Sequence, residues 1–265
     1  NQFCDSLAIK KPSNGLSEAE LVEVWSYVIN ALAGHSLTLW SGELTSKATK
    51  WQQTILRKEL DIDSGSAAYG RKLDLQCHID GLELNNSEFK TGARSQEQVE
   101  IQYRKNLRVN QAMMLYLQDQ IGFRLEDLEV LTLDVHGHSA VLVSLRYENN
   151  IFVTDLATSH LLRLPDSTIA WKHFLLGGTL TVLIKYVEHL ADLIDRIDEQ
   201  SFLHEQQVRT GDRTTPERES RGFSDFTFFS PIKKRTHELQ PNTGSLRVDE
   251  DSDLCDSDAS FEYDD

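Results

Sequence analysis

Basic residues are scarce in this chain relative to acidic ones: 27 Lys and Arg stand against 42 Asp and Glu, a formal net charge of −15. That balance argues against a broad cationic surface of the kind that binds nucleic acid non-specifically. It leaves room for a local site whose lysines and bound cations offset the acidity. Cysteine is nearly absent. Cys4, Cys77 and Cys255 are odd in number and scattered, which suits a reducing intracellular compartment and suggests neither a disulfide framework nor a cysteine zinc site. The most apolar run, Phe174 to Ile184, is too short to span a bilayer and is followed by Lys185, so no membrane association is expected. Nothing reads as a signal peptide, and a chain that begins at Asn1 rather than Met leaves room for a preceding segment. Gly-rich phosphate loops, nucleophile elbows and paired-cysteine metal motifs are also missing.

What is present is a patterned centre between two polar ends. Residues 1–15 read as a flexible lead-in. Ser17-Glu-Ala-Glu20 is a capping box, and the helix it opens places Leu21, Val24, Trp25, Val28, Ile29 and Leu32 on one stripe. A short extended piece follows over 37–40, then a helix over about 45–60. The segment from Gly70 to Lys90 predicts two strands joined at Asp80-Gly81. A long helix is expected from Ser95 to Ile121, closed by Gly122. Four extended segments come next, near 128–135, 139–147, 151–156 and 160–164, with turns at His136-Gly-His138 and Asn149-Asn150. A last helix runs from about Ser167 to Gln200, with Leu176, Leu180, Leu183, Ile184, Val187, Leu190, Ala191 and Ile194 as its apolar face. The order predicts one mixed α/β domain over 16–200 with helices covering a sheet. From 201 the composition turns polar, fifteen acidic against eight basic residues, and 201–265 is expected to be a disordered acidic tail.

The chemistry concentrates in the predicted strand pair. Asp74 lies on one strand, and Glu88-Phe-Lys90 on the next. Two carboxylates on neighbouring strands can hold a hard divalent cation, and a lysine beside them can steady an attacking water or the charge developing on a phosphate. The idea carries a condition of parity. A strict two-residue turn pairs Ile79 with Leu82 and sets Asp74 opposite Ser87, which turns Glu88 away. A three-residue loop, or a bulge near Asn85-Asn86, shifts the register by one and sets Asp74 opposite Glu88.

With its helix before and long helix after, the hairpin resembles the PD-(D/E)XK nuclease superfamily. Gly42-Glu43-Leu-Thr-Ser-Lys-Ala48, Gly70-Arg-Lys-Leu-Asp74 and Ser87-Glu-Phe-Lys90 resemble in particular a group of uncharacterised nuclease-like proteins numerous in some fungal genomes. The resemblance spans about residues 16–200, with Leu73 where the superfamily name has Pro. It implies a restriction-endonuclease-like fold and metal-dependent hydrolysis of DNA or RNA. It also implies Mg or Mn as cofactor, Glu43 as a helix-borne metal ligand, Asp74 and Glu88 as the central ligands, and Lys90 as the catalytic lysine. Gln102, Lys105 and Arg108 on the long helix, with Arg71, are expected to reach the phosphate backbone of a nucleic acid. The alternative is the same fold without catalysis, acting as a nucleic-acid-binding or protein-interaction module with the acidic tail as its arm for a basic partner.

Smaller signals remain. His136 and His138, with Asp134, are metal-capable residues but read more simply as a turn between strands. Ser230-Pro231 followed by Lys233-Lys234-Arg235 is a weak nuclear-import pattern.

Overall fold

The computed structural model describes residues 16–34, 37–59, 68–79, 81–92 and 95–210. The expected lead-in, the basic cluster at Lys233–Arg235 and the tail from 211 lie outside them. Helix α1 (Glu18–Ala33) starts where the capping box places it: Glu20 N donates to Ser17 Oγ, and Ser17 N donates back to Glu20 at 2.7 Å. Strand β1 (Thr38–Thr45) and helix α2 (Lys47–Glu59) follow, then β2 (Lys72–Ile79) and β3 (Leu82–Lys90). Helix α3 (Gln96–Ile121) has its own capping box between Ser95 and Gln98. The remaining elements are β4 (Glu129–His136), β5 (Ser139–Glu148), β6 (Ile151–Leu156), the two-residue β7 (Leu162–Arg163), α4 (Thr168–Leu176) and α5 (Gly178–Thr210).

The strands form one mixed seven-stranded sheet in the order β1-β2-β3-β4-β5-β6, with β7 pairing β5 beside β6. Only β3 and β4 run parallel, because α3 carries the chain across between them; the other pairings are antiparallel. Successive residues of β3 show which helix covers which face. Asn85 donates to Tyr186 Oη of α5 at 2.9 Å, whereas Asn86 donates to Asn106 of α3 at 3.2 Å. The sheet is therefore sandwiched between α5 and α3 at this strand.

The core on the α5 side is apolar. Trp25, fully buried, packs with Leu21, Val28 and Ile29 of α1 in a cluster with Leu75, Cys77 and Phe89 of the sheet and Leu183, Tyr186, Leu190 and Leu193 of α5. Each such side chain contributes about 1.5–3 kcal/mol by leaving water. A second, small cluster joins Leu73 to Ala48, Val109, Ala112 and Met113.

Three expectations are corrected here. The extended piece at 37–40 does not stop before Glu43. It continues to Thr45, so Glu43 lies on a strand and is not helix-borne. The last helix is two: α4 and α5 meet at a bend of 51° around Gly177, where a β-carbon would come within 2.2 Å of the His173 carbonyl oxygen. The buried face of α5 consists of Leu183, Tyr186, Val187, Leu190, Leu193 and Ile197, while Leu176 and Ile184 are exposed. Finally, α5 runs ten residues past Gln200 to Thr210, supported by good helix formers and an Arg209–Glu205 pair at helical spacing. Among the described residues no single helix is long and apolar enough to cross a membrane.

One buried charge fixes α2 against the sheet. The Glu83 carboxylate accepts from Lys47 N at 2.6 Å, Ala48 N at 2.9 Å and Ser46 Oγ at 2.8 Å, and so caps the α2 N-terminus from the neighbouring strand. Replacing Glu83 by Ala strands these donors in a site that is 1% exposed. Urea denaturation is expected to show a loss of about 2–4 kcal/mol, with Glu83→Gln recovering part of it.

Candidate active site

The turn between β2 and β3 is the strict two-residue form: Ile79 pairs with Leu82 across Gly81, whose φ of 83° only glycine adopts cheaply. Left regular, that hairpin would set Asp74 opposite Ser87. A bulge intervenes between Cys77 and His78: His78 pairs with Glu83 but Cys77 with Asn85, so Leu84 is the extra residue. Beyond it Gln76 pairs with Asn86 and Leu75 with Ser87; continued by one residue, that register sets Asp74 opposite Glu88, and the Phe89 N–H reaches the Asp74 carboxylate. The parallel pairing with β4 extends the row, because Glu88 is opposite Asp134. Three carboxylates thus cross three adjacent strands at the end of the sheet where β3 and β4 finish.

Each is held by specific donors. Asp74, half-buried, accepts from Phe89 N at 2.8 Å. Glu88, with no exposed side chain, accepts from Asn86 Nδ2 at 3.0 Å and from Lys105 Nζ at 2.7 Å. Asp134, also buried, accepts from Gln102 Nε2 at 2.5 Å and lies 3.3 Å from His136 Nε2. Below this row a layer of amides locks α3 to the sheet. Asn110 Oδ1 accepts from Asn86 N at 2.8 Å, its Nδ2 donates to Asn86 O at 3.0 Å, and Asn106 Nδ2 donates to Leu133 O at 3.1 Å. The carbonyl oxygens of the Asn86 and Gln102 side chains are buried without a hydrogen-bond partner.

The expected site residues therefore sort as follows. Asp74, Glu88 and Lys105 come together. Lys90 lies at the end of β3 and reaches Glu18 at 3.0 Å, in the first turn of α1. Gln102 is buried against Asp134 and faces the sheet, which removes it from direct contact with a nucleic acid. Arg108 and Arg71 are half-buried; Arg71 is anchored through its main chain to Ser46 and Thr49. Glu43 falls in the β1 irregularity between Ser41, paired with Leu75, and Leu44, paired with Leu73, which sets its backbone beside Asp74. Its side chain lies outside the described residues. His136 and His138 sit at the β4–β5 turn around Gly137.

Two participants escaped the sequence reading. Glu18, in the first turn of α1, is the partner of Lys90; its signal was an acidic residue in a first turn, which capping alone explains. Asp134 was visible only as a neighbour of His136, and its partnership with Glu88 depends on a parallel pairing across an intervening helix.

Formally, four carboxyl groups (Glu18, Asp74, Glu88, Asp134) face two ammonium groups (Lys90, Lys105), an excess of two negative charges. Burial pushes Asp74 above the usual carboxylate range, and Glu18 adds to the shift, while the Phe89 N–H, Lys105 and Lys90 oppose it. Burial also raises Glu88, against Lys105, with Asp74 reinforcing the rise. Among the described residues no group of three or more His, Cys, Asp or Glu side chains is disposed to hold a metal ion. Magnesium asks for less, since it commonly binds through one or two carboxylates and keeps several waters. Asp74 and Glu88 meet that requirement in donor type and in charge.

A cavity of about 420 Å³ lies at the other end of β4, lined by residues that include Glu129, Arg146, Glu148, His189, Asp192 and Arg196. It contains none of the residues above. No protein-family model, curated protein or solved structure matches the chain.

The raised carboxyls carry a sign for stability. A folded-state acid raised above its unfolded value binds extra protons when folded, so its contribution is present below the unfolded pKa and is lost as pH rises through the folded one. Asp74→Asn keeps an oxygen for the Phe89 N–H and removes the charge. Thermal unfolding is expected to show Asp74→Asn more stable than the parent protein at neutral pH. The difference should shrink as pH falls towards the ordinary value of 3.8.

Proposed function

We propose that this protein is a metal-dependent nuclease of PD-(D/E)XK type that hydrolyses phosphodiesters in DNA or RNA. The observation that carries the reading is the opposition of Asp74 and Glu88 across a bulged register, with Lys90 two residues further along the same strand. Asp74 and Glu88 would hold one Mg²⁺ or Mn²⁺, with Glu43, next to Asp74 on β1, as the added ligand that the resemblance implies. Such a cation polarises a phosphoryl oxygen and lowers the pKa of a bound water.

The chain's own groups supply the rest. The Phe89 N–H and the Asn86 amide hold the two carboxylates in place before any ligand arrives. Such preorganisation is a large part of what an active site contributes. Glu18 holds the Lys90 ammonium at the strand end, where it can orient an attacking water or meet the charge developing on the phosphate. Lys105, Arg108 and Arg71 supply cationic contacts for the nucleic-acid backbone, local exceptions in an acidic protein.

A second reading has its own support. Lys105 and Lys90 already pair with Glu88 and Glu18, so much of the site's charge is balanced without a metal. The same fold would then bind nucleic acid or a protein without cutting. Purified protein incubated with single-stranded DNA, duplex DNA and RNA, with Mg²⁺, Mn²⁺ or EDTA, separates the two. Cleavage is expected only with a divalent cation, reduced on the order of 10²-fold or more in Asp74→Ala and in Lys90→Met. Binding without cleavage in every condition would support the module instead, and cleavage undiminished in Asp74→Ala would sink the nuclease assignment.

A further inference from the structure

Lys90 is the lysine that the motif marks, yet the ammonium seated on the carboxylate pair is that of Lys105. Its contact is with one member of the pair: Nζ lies 2.7 Å from Glu88 Oε2, and Asp74 feels its charge without a direct bond. The two partners differ in freedom. Glu88 has no exposed side-chain surface, stands on a central strand and is held by Asn86, whereas the Lys105 side chain is 30% exposed on a flexible stem. Anything that competes for Glu88 must therefore displace the lysine and not the carboxylate. The site's formal excess of negative charge makes a divalent cation the natural competitor, because it replaces one positive charge by two where burial makes charge balance matter most.

We propose that Lys105 is a stand-in cation: it occupies Glu88 while no metal is bound, is released when a divalent cation takes that carboxylate, and then becomes a contact for substrate phosphate. The idea rests on the nuclease reading of the same site. It adds an order to binding, because the ammonium becomes free for nucleic acid only once the metal has replaced it. Cation and nucleic-acid affinities are then coupled, each strengthening the other. Lys105 is a positioning residue in the metal-free protein and a substrate contact in the metal-bound one.

The test titrates Mn²⁺ into the full chain by calorimetry, in mildly alkaline buffer so that the carboxylates are ionised. The forms compared are the parent protein, Lys105→Met, Lys105→Gln, Lys105→Arg and Asp74→Asn, each checked for folding by thermal unfolding. Removing the resident charge should tighten Mn²⁺ binding roughly tenfold in Lys105→Met and Lys105→Gln, while Lys105→Arg stays near the parent. In parallel, a fluorescent single-stranded oligodeoxynucleotide is titrated with Ca²⁺ or with EDTA. The parent should bind more tightly with Ca²⁺ than with EDTA, and Lys105→Met should lose most of that gain.

Mn²⁺ affinity that is unchanged or weaker in both neutral variants, with the parent still binding Mn²⁺ in a manner abolished by Asp74→Asn, would overturn the Lys105 proposal alone. A parent protein that takes up no Mn²⁺ dependent on Asp74 would bring down the nuclease reading and this inference together.

Discussion

Everything at the candidate site depends on holding buried carboxyl groups in place beneath α3. Glu88 and Asp134 sit side by side on the two parallel strands, both buried, so each needs hydrogen-bond donors that water can no longer supply. Helix α3 supplies one to each, Lys105 to Glu88 and Gln102 to Asp134, while Asn106 and Asn110 on the same side of the helix donate to the Leu133 and Asn86 carbonyls. An apolar stripe in the same place would hold the helix at least as well, because buried ionic and polar groups rarely exceed well-packed hydrophobic ones in stability. The polar layer is therefore hard to explain as a stability device. Its effect is to fix the Asn86, Glu88 and Asp134 side chains at defined places.

The same constraint explains the bulge. A regular β2–β3 hairpin would hide either the apolar set or the charged set on the wrong face, since one residue of slip exchanges the two. With Leu84 as the extra residue, the chain keeps a two-residue turn at one end, a capping Glu83 beside it, and Asp74 opposite Glu88 at the other end. A single irregularity reconciles three local demands that no uniform register satisfies. The price of such a device is small compared with an unpaired buried carboxylate, which costs several kcal/mol.

How much of this could be read from the chain depended on the range of the interaction concerned. Helix starts at Ser17 and Ser95, the Gly122 stop and the Asn149-Asn150 turn were legible because each is decided within four residues. The parity condition on Asp74 and Glu88 was legible as a condition. Its solution was not, because a bulge at Leu84 leaves no compositional mark. Gln102 was expected to reach nucleic acid for a related reason: it looks solvent-facing until the buried Asp134 gives it something to bond. Glu43 was assigned to a helix by resemblance, and only the β1–β2 pairing moved it onto a strand. The break between α4 and α5 comes at Gly177, where a β-carbon would meet the His173 carbonyl, and periodicity alone does not register it.

Placement finally separates this site from the cavity at the far end of β4. In open sheets, ligands tend to bind beyond the carboxyl ends of parallel strands, where helix N-termini and loops converge. Lys90 and His136 end β3 and β4, paired with each other in register, and the chain enters α3 shortly after Lys90. Glu18, at the N-terminus of α1, comes to the same end. The far cavity collects carboxylates as well, but its arginines are already committed: Arg146 to Asp155 and Glu148, and Arg196 to the Asp127 carbonyl. No lysine among the described residues lines it. Asp74, Glu88 and Asp134 gather at one end of this sheet with Lys90 and Lys105, and the crossover that makes β3 and β4 parallel is what adds Asp134 to the row.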